Sequence, residues 1–99
     1  MLDTKTKWLL QQLLEAVVVE VNEETVTART MLTGIPDTYT DSEIEEVYSK
    51  FSEWISECLE PYHGWRDRKD KDFKSTKTEV KKCLESKFQS AVTSLKEEL

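Results

Sequence analysis

"AVVVEVNEETVTART", residues 16–30, is the stretch on which the fold turns. Its β-branched residues suit a strand pair, a hairpin turning at Asn22-Glu23. Against that, Leu10, Leu14, Val17, Val21, Ala28 and Met31 keep helical spacing across it. "TGIP", residues 33–36, then reads as a helix stop. Gly34 can take the left-handed conformation, Ile35 can fold back on the last turn, and Pro36 forbids continuation. A stop needs a helix to stop, so the expectation is helix over about 4–21 and 23–33. Asn22 would cap the second start.

Working outward, "TYTDSEIEEVYSKFSEWISECLEP" is unambiguous. Thr40 and Glu43 have capping-box spacing, and Tyr39 and Ile44 flank the cap as a hydrophobic staple does. Ile44, Val47, Tyr48, Phe51, Trp54, Ile55, Cys58 and Leu59 fall on one helical face, and Glu60-Pro61 ends it. A helix over about 41–60 follows. Another covers about 75–98, with Thr76 and Glu79 at capping-box spacing. Its stripe is Val80, Cys83, Leu84, Phe88, Ala91, Val92, Leu95 and Leu99. The expected fold is all-α, a small bundle of three to four helices that self-associates.

Ninety-nine residues make one domain, 1–99. Only two Gly and two Pro leave few turns, which favours long helices. No run approaches a membrane span, and Gln11, Gln12, Glu15 and Glu20 interrupt the apolar start before any small-residue cleavage site. The expected compartment is the cytoplasm. There Cys58 and Cys83, both on core faces, read as two small buried hydrophobes, with a disulfide as the competing reading. Two Cys and one His, far apart in sequence, match no zinc spacing, so no metal and no cofactor is expected.

Two features exceed what a lone bundle needs. Ten of the fourteen residues 8–21 are apolar. On a helix, Leu10, Leu13, Leu14, Val17 and Val21 share the core face. Trp8, Leu9, Gln12, Ala16 and Val19 then form a second side, expected to dock on another protein, including a copy of this chain in a homodimer.

The other feature is charge order. Residues 1–65 carry four basic and thirteen acidic side chains, whereas 66–82 carry eight basic and four acidic, in a chain of net charge −6. In an antiparallel hairpin of helices, Glu57 and Glu60 would face Lys74, Lys77 or Lys81.

Residues 60–74, "EPYHGWRDRKDKDFK", collect aromatic rings, the single histidine and dense charge. Tyr62, His63, Trp65, Arg66, Arg68 and Lys69 are the candidate ligand or anion contacts, since π-faces beside cations serve stacking and acidic-peptide capture. The competing reading is a strap: Pro61 ends a helix, Gly64 turns the chain, and Tyr62 and Trp65 plug the bundle. His63 has no inferable nucleophile or acid partner, so no catalytic residues are assigned. The expectation is a non-enzymatic, acidic, helical regulator, adaptor or inhibitor that works by protein–protein binding. Nucleic-acid binding through 65–82 is the alternative, disfavoured by Asp67, Asp70 and Asp72. A purely structural oligomer subunit is another.

Overall fold

The computed structural model describes residues 4–97, with side chains from Thr4 to Val92. It contains helix α1 (Thr4–Ala16), an antiparallel hairpin of β1 (Val18–Val21) and β2 (Val26–Arg29), helix α2 (Asp41–Leu59), and helix α3 (Phe73–Glu97). Two single 3-10 turns, Glu60–Tyr62 and Trp65–Asp67, lie between α2 and α3. The protein is mostly helical but not all-α.

The hairpin corrects the reading of residues 16–30. The expected helix 4–21 stops at Ala16, where the run of β-branched valines begins, and the expected helix 23–33 does not form. Asn22 does cap the backbone, but around a turn. Its Oδ1 accepts the N–H groups of Glu24 and Thr25, both at 2.9 Å, while its own N–H donates to the Thr25 carbonyl at 3.0 Å. This local side-chain bond stabilises a turn as readily as a helix start. Pairing then runs Val18 with Arg29, Val19 with Ala28, Glu20 with Thr27 and Val21 with Val26.

The period of two decides burial. Val19, Val21, Val26 and Ala28 face the core, whereas Val18, Glu20, Thr27 and Arg29 face water. Met31, placed on the core stripe by helical spacing, is 82% exposed. Gly34 has a left-handed φ of 77°, but it bends the connection from β2 to α2 and ends no helix. That connection is pinned on both sides. Thr30 Oγ1 donates to the Leu13 carbonyl at 2.9 Å, and the Leu32 N–H donates to Tyr48 Oη at 3.4 Å. Tyr39 Oη donates to the Lys5 carbonyl at 2.9 Å.

α2 starts and stops where its residues dictate. The Glu43 N–H donates to Thr40 Oγ1 at 3.1 Å, and the Thr40 N–H donates to the Glu43 carboxylate at 2.9 Å, closing the capping box. Such a cap is worth about 1 kcal/mol. The Thr40 N–H, then the Lys5 ammonium at 3.0 Å, hold the Glu43 carboxyl below its usual range.

α3 begins two residues earlier than expected, because Asp72 caps it: its Oδ1 accepts the Ser75 N–H at 2.9 Å. Thr76 is therefore inside the helix and buried. The side chain of Leu95 and the whole of Leu99, both assigned to its stripe, lie outside the described part of the structure.

The core joins Leu9, Leu10 and Leu13 of α1 to Val17 and Val19, to Val47, Phe51, Trp54 and Cys58 of α2, and to Val80, Leu84 and Phe88 of α3. Phe51 and Trp54 meet edge to face at 6.0 Å. Cys58 and Cys83 are bonded to each other as a disulfide, with Cα atoms 5.8 Å apart, which overturns their reading as free buried thiols. α2 and α3 pack side by side, so two cysteines on facing core stripes arrive within bonding range.

Candidate binding surface

Residues 60–74 are built as a strap. Pro61 turns the end of α2 into a 3-10 turn, and Gly64, at φ 82°, supplies the left-handed step that opens the next one. Trp65 is thereby driven inward to 2% exposure. Its Nε1–H donates to the Asn22 carbonyl at 2.7 Å, so the strap is fastened to the hairpin tip. Its ring meets Tyr62 edge to face at 6.0 Å and Phe73 at 6.1 Å.

The cations beside these rings are occupied as well. Arg68 lies over Tyr62 at 5.5 Å and Trp65 at 5.7 Å, while its Nη2 donates to the Pro61 carbonyl at 2.7 Å. Tyr62 Oη donates to Glu79 at 2.9 Å; burial first, then this carboxylate, pushes the phenol above its ordinary value.

Of the six proposed ligand contacts, Trp65 is therefore a core residue, and Tyr62 and Arg68 are engaged internally. His63, Arg66 and Lys69 remain exposed. Sequence reasoning missed Lys71. Its Nζ donates to the carbonyls of Glu23 at 2.6 Å and Arg66 at 3.1 Å, sits over Trp65 at 5.7 Å, and leaves the side chain 11% exposed. Charge composition alone gave no sign that this lysine, among eight basic residues, is the structural one.

The proposed second side of the first helix is also divided by the structure. Leu9 is fully buried and Val19, moved onto β1, is 3% exposed, so neither belongs to a docking face. Trp8 stays 41% exposed, its ring 6.0 Å from Tyr39, with Gln12 and Ala16 half-buried. Leu9 belongs to the core shared by α1, the hairpin, α2 and α3.

What the structure leaves open lies on α3. The expected pairing of Glu57 with Lys74, Lys77 or Lys81 does not form: Glu57 pairs with Lys87. Among the described residues, Lys74, Lys77, Lys81 and Lys82 meet no carboxylate. Glu79, Cys83 and Lys87 mark the flank of α3 towards α2, whereas Lys74 and Lys77 stand on the other flank, beside β1. There a groove of about 580 Å³ is lined by Val18, Glu20, Phe73, Lys74 and Lys77, among others. A smaller depression of about 300 Å³ continues along Lys77, Thr78, Lys81, Lys82 and Glu85. Lys77 borders both.

Among the described residues no group of three or more His, Cys, Asp or Glu is placed to hold a metal ion, and no helix is long and apolar enough to cross a membrane. No protein-family model matches the chain, and no curated protein or solved structure is significantly similar to it.

Proposed function

We infer that the protein is non-enzymatic and acts by binding a protein partner through the basic flank of α3. The observation that carries this reading is the set of four lysines, Lys74, Lys77, Lys81 and Lys82, that no carboxylate of the described chain neutralises. In a chain of net charge −6 the local excess of cations is a directional feature, effective within about a Debye length. A regulator, adaptor or inhibitor is the form this takes.

The same geometry weakens the nucleic-acid reading. Base stacking needs an open π-face, and the Trp65 ring is buried while Tyr62 is covered by Arg68. The homodimer expected through Trp8, Leu9, Gln12, Ala16 and Val19 loses its two central apolar residues to the core. The disulfide favours an oxidising compartment over the cytoplasm, since cytosolic thiols are kept reduced.

Chromatography at low ionic strength tests this reading. Immobilised polyglutamate is expected to retain the protein in a salt-sensitive way, with retention lost in the Lys77→Glu/Lys81→Glu variant. Duplex DNA is expected to pass without retention. Stronger retention on DNA than on polyglutamate would replace the protein-binding reading with the nucleic-acid one.

A further inference from the structure

The groove between β1 and α3 is, we propose, a docking cleft for an acidic protein segment that carries a large apolar anchor. The proposal rests on the binding role given to α3 above and adds the chemistry of the partner. Among the described residues four large apolar side chains are left exposed, and two of them, Val18 at 50% and Phe73 at 37%, line this one groove. Buried Val19 lies in the same lining. An apolar centre with a charged rim is the anatomy of a protein-recognition patch, in which the anchor supplies affinity and the rim supplies selectivity.

The rim is cationic. Lys74 and Lys77 border the apolar pair, and Lys81 continues the row two helical turns from Lys74, a rise of about 10 Å. Two acids stand on this rim: Glu20, which Arg29 holds at 2.8 Å, and Glu85, which lies beside Lys81 and Lys82. Glu85 forms no ion pair among the described residues, so four lysines still outnumber the two acids. A segment with spaced carboxylates and one bulky apolar side chain complements every part of this surface. Phosphodiester backbone would leave Val18 and Phe73 unused. An anionic lipid headgroup layer presents no protruding apolar side chain to fill the groove between Val18 and Phe73.

Panning randomised twelve-residue peptides displayed on phage against the intact, disulfide-bonded protein tests the proposal. Enriched peptides are expected to combine several Asp or Glu with one Phe, Leu, Ile or Trp. For a synthesised winner, fluorescence anisotropy is expected to show at least tenfold weaker binding to Lys77→Glu/Lys81→Glu, and at least fivefold weaker binding to Val18→Ser. Far-UV circular dichroism checks that both variants fold.

Acid-rich winners without an apolar anchor, indifferent to Val18→Ser, would overturn the cleft and leave the electrostatic role of α3 standing. No enrichment of acidic peptides, or binding unaffected by Lys77→Glu/Lys81→Glu, would overturn both. Tighter binding to duplex DNA or to phosphatidylserine vesicles than to the selected peptide would do the same.

Discussion

Trp65→Ala is expected to remove about 3–5 kcal/mol of folding stability, the range for deleting a buried large aromatic side chain. The indole is 2% exposed, touches Tyr62 and Phe73, and carries the bond from the strap to the Asn22 carbonyl. Its loss opens a cavity between the strap and the hairpin tip and frees Arg68 and Lys71 from the ring they cover. Trp65→Phe separates the two contributions. It keeps most of the packing and loses the Nε1–H bond, an effect of about 1 kcal/mol. Urea titrations of the three proteins give the comparison. A loss below 1 kcal/mol for Trp65→Ala would mean that residues 60–74 are not a structural strap, and would reopen them as a site.

Replacing both Cys58 and Cys83 by serine, or reducing the wild-type protein, is expected to cost about 3.5 kcal/mol by the chain-entropy argument for a loop of this length. The bond spans 25 residues from the last turn of α2 to the middle of α3. It thereby closes the strap and the four free lysines into one loop. For a domain near 100 residues this corresponds to a melting temperature lower by roughly 15–25 °C. Calorimetry with and without reductant measures the difference. An unchanged melting temperature would show that the cross-link contributes nothing to the fold and would withdraw the argument for an oxidising compartment.

α2 was legible to the residue at its start and to within one at its end, because Thr40, Glu43 and Pro61 act locally and their partners are three or four positions away. The hairpin was hidden by an arithmetic coincidence. Val17 to Val21 is a four-residue step, one helical turn but also two strand alternations, so both periods claim it. Val19 was the discriminating residue. On a helix it lies opposite the core, and on a strand it joins Val17 and Val21, which is where the structure buries it. Gly34 does take the left-handed φ open to it, but the bend it makes follows a strand and ends no helix.

The disulfide was obscured by an inference about compartment rather than about structure. Cys58 and Cys83 were already placed on core faces, and only the packing of α2 on α3 brings them together. The candidate site divided along similar lines. Strap and site were both readable in residues 60–74, and burial of Trp65 decides between them. The lysines of α3 were visible as a charge excess, yet their freedom was not, since it depends on Glu57 choosing Lys87.

The division of labour between strap and helix flank is tested most directly by comparing two variants against one selected acidic peptide. Removing the exposed strap cation Arg66, which does not line the groove, by Arg66→Ala is predicted to leave the dissociation constant within about twofold, because a solvated charge outside the cleft is screened. Reversing Lys77 and Lys81 on α3 is predicted to raise it at least tenfold. The opposite pattern, with the strap variant crippled and the α3 variant unimpaired, would contradict the account.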